Sequence, residues 1–291
     1  MEIPYLYRGL RKLGILNFIN LTGSVKIESN SLRIPILGEL GLDNLTFSEP
    51  WMSDLLSGVR LNQTGTFIDF GANIGQTLIK LKTTYPYMPY LGFEPNPTCV
   101  YYLDKLIKVN KWNGTTIFPV AISRESGLTE LYQYNESDTD SSASIISNFR
   151  NSDSLYGTSY VPCYSFTDIE RFVPQCISCI KIDVEGGELE ILTGLQAILM
   201  TQRPYVLCEI LPVYSTENSE RLNRQNAIQR LLETLDYSIY RIKKDPEGQM
   251  LGLLSLNEFG IHSNLDWCEY LFSPNSLKNK QLPFSIEESL P

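Results

Sequence analysis

The hydrophobic pattern changes character near residue 65. Before it, apolar positions recur at helical intervals through MEIPYLYRGLRKLGILNFIN, with Arg8, Arg11 and Lys12 between them. This spacing predicts an amphipathic helix, packed on its own domain or, as the lesser alternative, lying on a membrane surface, and not the unbroken apolar core of a signal peptide. VKIESNSLRIPIL (25–37) reads as a hairpin about Ser29-Asn30-Ser31, and PWMSDLLSGV (50–59) as a short helix with Pro50 in its first turn. Residues 1–62 are therefore expected to form an N-terminal helix-hairpin cap, and 63–291 a second, larger domain.

From 66 onward, short apolar runs alternate with helical patterns. Strands are expected at 66–70, 90–93, 116–120, 178–183, 204–210, 237–242 and 268–272, and helices near 75–84, 97–110, 187–200 and 219–235. The alternation predicts an α/β fold, a Rossmann-like, doubly wound, mostly parallel seven-stranded sheet. A polar stretch from Asn135 to Ser159 interrupts the rhythm. Loops of that length are either disordered or functional lids.

Composition narrows the function classes. The chain has 291 residues and a net charge of −9, which argues against a nucleic-acid-binding surface. No apolar run approaches a transmembrane length, so a cytoplasmic protein is expected. The Cys-x-x-Cys of Cys176 and Cys179 has no second pair at zinc-site spacing, and His262 is the sole histidine, so a structural zinc is not expected. Cys179 reads instead as a buried thiol. Sequons at Asn20, Asn44, Asn62, Asn113 and Asn135 carry no weight without a secretion signal. DTDSSASIISNF (138–149) begins like a calcium loop, but Ala143 replaces its turn glycine and Phe149 its bidentate glutamate.

The chemistry begins in TFIDFGANIGQT (66–77), where Asp69 stands near the tip of a strand that runs into a glycine-containing turn. Strand-to-helix turns of this kind usually hold pyrophosphate on backbone N–H groups. Asp69 would repel it, and the order Gly71-Ala72-Asn73-Ile74-Gly75 lacks the third glycine of the dinucleotide fingerprint. The two glycines still allow close approach of a ligand. A ligand with positive charge and no phosphate suits both features, and S-adenosylmethionine fits. Glu94 closes the next strand in YLGFEPNP, where an acidic residue accepts ribose hydroxyls, and Pro95 and Asn96 lead into the following helix. Val120, Ala121 and Ile122 are either an adenine slot or plain core. In CIKIDVEGGELEILTGL, Asp183 and Glu185 lie at the carboxyl end of the fourth strand, where open parallel sheets bind ligands. Glu209 closes the fifth strand in the same way.

FIDFGANIGQT, FEPNP and IKIDVEGGELEILTG, in this order, resemble the FkbM-type methyltransferases over roughly residues 45–275. The resemblance implies a class I methyltransferase sheet and O-methylation of a natural-product or glycan hydroxyl. It implies Asp69, Gly71, Asn73 and Gly75 at the methionine end of the cofactor, Glu94 at the ribose, and Asp183 and Glu185 near the methyl group. Phe70 stands where a smaller Val is common in the family.

An alcohol acceptor must lose a proton as it is methylated. Asp183, Glu185 or Glu209 is expected to orient or deprotonate it, with His262 as the rival base. A divalent cation on Asp183, Glu185 and Glu209 is an alternative that the sequence does not demand. The expected partner is a small-molecule or carbohydrate acceptor, with Tyr132, Tyr134, Tyr156 and Tyr160 as candidate contacts beside the variable loop. Other classes remain open: an N-methyltransferase, a non-catalytic S-adenosylmethionine-binding module and, at the margin, a nicotinamide-dependent oxidoreductase. The oligomeric state is also open, a homodimer included.

Overall fold

The computed structural model describes residues 5–27, 30–46, 48–147, 149, 154–277 and 282–288. The amphipathic N-terminus forms α1 (Tyr5–Lys12), which turns Tyr7 and Leu10 toward a hairpin of β1 (Asn20–Ile27) and β2 (Asn30–Leu37). Ser29 of the expected turn lies outside the described residues. PWMSDLLSGV forms α2 (Pro50–Val59), with proline at the helix start, where its missing N–H is not needed.

TFIDF becomes β3 (Thr66–Phe70), buried along its whole length because both sheet faces are covered. It leads through the glycine turn to α3 (Gln76–Thr84), β4 (Tyr90–Phe93) and α4 (Pro97–Asn110). The Asn96 side chain accepts from the Thr98 N–H and caps α4. The apolar face of the hairpin (Val25, Leu32, Ile34 and Ile36) packs with Cys99, Tyr102 and Leu106 of α4.

The third expected strand is interrupted. β5 (Thr115–Phe118) stops at Pro119, which has no N–H to donate to a ladder. The chain leaves the large sheet there and enters a three-stranded sheet of β6 (Ala121–Ser123), β7 (Gly127–Gln133) and β8 (Gly157–Ser165), in the order β6-β8-β7. After the short α5 (Phe166–Ile169) come β9 (Ile177–Ile182), α6 (Glu188–Gly194), α7 (Gln196–Thr201) and β10 (Tyr205–Glu209). The helix expected over 187–200 is thus broken after Gly194, where α6 packs so tightly that a Cβ would lie 2.8 Å from the Phe166 Cβ. The chain ends with α8 (Ser219–Thr234), β11 (Tyr237–Lys244), β12 (Met250–Leu256), β13 (Glu269–Pro274) and β14 (Ile286–Glu288).

The large sheet has nine strands, not seven, in the order β14-β12-β11-β13-β10-β9-β3-β4-β5. The seven expected strands are contiguous within it, with β13 antiparallel to its neighbours β10 and β11. Their chain order reads third, second, first, fourth, fifth, seventh, sixth across the sheet. This is the class I methyltransferase arrangement, and its switch point lies between β3 and β9. Register then aligns the charges: Asp69 is opposite Lys181, and Glu209 is opposite Glu269. No helix among the described residues is long and apolar enough to cross a membrane.

Candidate active site

A cleft opens outside the carboxyl ends of β3, β4 and β9, the place where such sheets bind ligands. Its floor is the turn after β3. Here the backbone N–H groups are fully engaged: Gly71 and Ala72 donate to the Phe93 carbonyl, Asn73 to Glu94, Ile74 to its neighbour's Oδ1, and Gly75 to the Ala72 carbonyl. No N–H from 71 to 75 is left to cradle a phosphate.

The glycines serve packing. Gly71 has φ +86°, and a Cβ there would lie 1.8 Å from the Asp183 carbonyl oxygen. Gly75 has φ +82°, and its Cβ would meet Leu103 and Leu106 of α4 at 2.8 Å. The close approach these glycines allow is therefore chain to chain. Gly71→Ala is expected to destabilise by about 2–4 kcal/mol, combining left-handed strain with a backbone clash. Gly75→Ala should cost less, because leucine methyls can move. Urea unfolding of the two variants checks the ranking.

Asp69 does not line the cleft. Its carboxylate is fully buried, accepts the Tyr90 hydroxyl at 2.6 Å and faces the Lys181 ammonium at 3.7 Å. That distance is too long for a hydrogen bond, so Oδ1 is held by charge alone. Burial raises the Asp69 pKa, against Lys181 and Tyr90. The cation expected beside Asp69 is thus the protein's own lysine.

Glu94 does reach the cleft. Its Oε2 accepts the Asn73 N–H at 2.7 Å and its Oε1 the Asn96 N–H at 2.8 Å. Each oxygen keeps a lone pair for a ligand. Burial pushes its pKa up to about 7, against those two N–H groups. Ala72, Asn73, Pro95, Asn96, Ala121 and Ile122 line the same cleft.

Asp183 lines the cleft as well and accepts the Lys181 ammonium at 2.9 Å. Burial pushes its pKa up, but Lys181 and a hydrogen bond from Glu209 outweigh that and hold it below the usual value. Glu209 moves the other way, to about 10, because of the Asp183 charge and then burial. The two carboxyls titrate as a pair, in which the Asp183 charge favours the protonated form of Glu209. Glu209 lines a smaller recess beside the cleft. Glu185 lines the cleft with a left-handed φ of 53°, and its carbonyl accepts the Ser144 hydroxyl at 2.6 Å.

His262 stands apart from these carboxylates. It lines neither cavity, its backbone N–H donates to Val213, and its ring lies 5.5 Å from that of Trp267. Tyr132, Tyr134, Tyr156 and Tyr160 do not line the cleft either, and Tyr132 and Tyr160 both donate to Glu130. Among the described residues no three His, Cys, Asp or Glu converge as a metal-holding group, so Asp183, Glu185 and Glu209 do not form one.

The polar loop, in its described part, folds over the cleft through Asp140, Ser141, Ala143 and Ile145. Asp140 is its hub, accepting from the backbone of Tyr134 and Ser142 at 2.6 and 2.9 Å. Sequence patterns had not marked Lys181 or Glu49. Lys181 alone left a signal, a lone cation between isoleucines with an aspartate two residues on.

The FkbM methyltransferase domain model matches residues 69–242. The chain belongs to the FkbM methyltransferase family. Methyltransferase 1 of Beauveria bassiana is 27% identical, covering 44% of this chain and 57% of that protein. Methyltransferase sdnD of Sordaria araneosa is 25% identical, covering 44% and 59%. The chain thus spans under two thirds of the length of these curated relatives. A crystal structure of methyltransferase FkbM from Methylobacillus flagellatus KT is similar at 15% identity and a TM-score of 0.47, covering 76% of this chain and 47% of that one.

Proposed function

We propose that this FkbM-family chain is an S-adenosylmethionine-dependent O-methyltransferase acting on a hydroxyl of a small natural product or a sugar. The observation that carries the reading is the turn at 71–75: its N–H groups are engaged within the protein, while Glu94 keeps carboxylate lone pairs on the cleft floor. Such a site has nothing for a pyrophosphate and an acceptor for a ribose diol, which also weighs against a nicotinamide cofactor.

The residues present fit S-adenosylmethionine. Glu94 would hold the ribose, Val120, Ala121 and Ile122 offer an apolar wall for the base, and Gly71, Ala72 and Asn73 line the same cleft. The bound cofactor supplies a methyl group on an already activated sulfonium. The protein's share is alignment and proton handling. Asp183, kept ionised by Lys181, orients the acceptor hydroxyl and takes its proton as the new bond forms. Glu209 keeps its own proton and fixes the Asp183 carboxylate by donating to it. In this reading residues 1–62 are a cap, and Glu49 is its contribution to the cleft.

Calorimetric titration with S-adenosylhomocysteine at pH 6 and pH 8 tests the donor half. Glu94→Ala is expected to weaken binding about 10- to 100-fold, the worth of hydrogen bonds to a charged acceptor. Because Glu94 titrates at about 7 and only its ionised form accepts both hydroxyls, affinity should fall from pH 8 to pH 6, with proton release on binding at the lower pH. Absence of saturable binding to the folded protein would overturn the reading.

A further inference from the structure

A small recess lies beside the cleft. Among the described residues only Glu49, Lys181 and Asp183 line both cavities, so these three side chains form the wall between them. Beyond that wall the recess is bounded by the buried Trp51, Met52, Leu207 and Tyr270 and by the carboxylates Glu209 and Glu269. Glu49 and Trp51 lie outside the span matched by the family domain, 69–242, as does Tyr270.

Three observations single out Glu49. It occupies the N-cap position of α2, yet its side chain makes no capping hydrogen bond there. Its backbone is left-handed, at φ 51° and ψ 60°, a conformation that is strained for a residue with a side chain. Its carboxylate instead turns into the cleft wall, where Oε2 accepts the Lys80 ammonium at 2.7 Å. Lys80 exposes 2% of its side chain and Glu49 43%. A lysine has thus been buried to hold a carboxylate that remains open to the site, although an apolar residue in its place would pack without the desolvation cost.

Resting on the proposed methyl transfer, we infer that Glu49 is an acceptor-binding residue that reads a second hydrogen-bond donor beside the methylated hydroxyl, with Lys80 as its positioning residue. Asp183 and Glu49 then receive two neighbouring donors of one acceptor at the wall where both side chains line the cleft. The acceptor class is a neutral diol-bearing ring or chain. A mono-alcohol satisfies Asp183 and leaves Glu49 without its partner. An anionic acceptor is repelled by both carboxylates.

The test uses cis-1,2-cyclohexanediol and cyclohexanol as probes, with saturation-transfer NMR titrations on the full chain, with and without S-adenosylhomocysteine. The diol is expected to bind at least about fivefold tighter than the mono-alcohol, and Glu49→Ala and Lys80→Met should each abolish that difference. The Lys80→Met/Glu49→Gly variant removes the buried pair and the left-handed strain together. It should melt within about 3 °C of the parent or above it, and show no selectivity. Equal binding of the two probes, binding of neither, or selectivity retained in Glu49→Ala would overturn the inference. So would a double variant that melts far below the parent, since the pair would then be structural. Failure of S-adenosylhomocysteine to bind while the diol is still selected would instead sink the methyl-transfer reading alone.

Discussion

Asp183→Asn is expected to lower methyl transfer by about 100-fold on any acceptor the parent methylates, while S-adenosylhomocysteine affinity stays within about threefold. General-base catalysis supplies about 10²–10⁴-fold, and the low end applies because Lys181 keeps Asp183 a weak base. An amide retains the shape and still hydrogen-bonds a hydroxyl, but it cannot take the proton. The pH dependence follows from the same pair. Asp183 sits below the usual carboxylate range, so activity should persist well into acid on its account, with any loss near pH 7 coming from donor binding through Glu94. Above about 10, ionisation of Glu209 places a second charge against Asp183 and turnover should fall. His262→Ala should leave turnover unchanged, because that ring lines neither cavity. Saturating-donor rates across pH 5–11 check these outcomes. Unchanged turnover in Asp183→Asn would remove it as the base.

The elements that local pattern dictates were legible in the sequence. β3, β4, α2 and α4 begin and end where apolar runs, Pro50, Pro97 and the Asn96 cap put them. What local pattern does not encode was missed. β12 is a leucine-rich run broken by Gly252, with little β-branched character, and it becomes a strand because β11 offers an edge. β6 and β8 pair across more than thirty intervening residues, so neither announces its partner. The same limit applied to the site. The carboxylates Asp69, Glu94, Asp183, Glu185 and Glu209 stood out as charges at strand ends. Whether each met a ligand or another side chain depended on register, and that follows from β9 lying beside β3. Asp69 was expected to attract a bound cation, but it is opposite Lys181. Glu49 gave no signal at all, because its meaning depends on Lys80, 31 residues away.

Lys181→Met is expected to be the most destabilising single change near the site, by about 3–5 kcal/mol at pH 8. Lys181 is buried between two carboxylates, 2.9 Å from Asp183 and 3.7 Å from Asp69, and their charges hold its pKa up against burial. Methionine fills a similar volume, so the loss is not a cavity effect. It arises because Asp69, fully buried and otherwise held only by Tyr90, becomes an uncompensated charge. Such a group escapes by taking up a proton. In the variant the folded state should therefore bind more protons than the unfolded chain between about pH 4 and the raised pKa values of the two aspartates. Stability of the variant then rises as pH falls through that window, and its deficit against the parent should be smaller at pH 5 than at pH 8. Asp69→Asn combined with Lys181→Met should recover about half of the loss, since the amide carries no charge to strand. Urea unfolding of the parent and both variants at the two pH values measures all of this. A deficit that is the same at pH 5 and pH 8 would mean that Lys181 contributes through packing, and that the Asp69–Lys181–Asp183 row is not the electrostatic element that keeps Asp183 ionised for the acceptor.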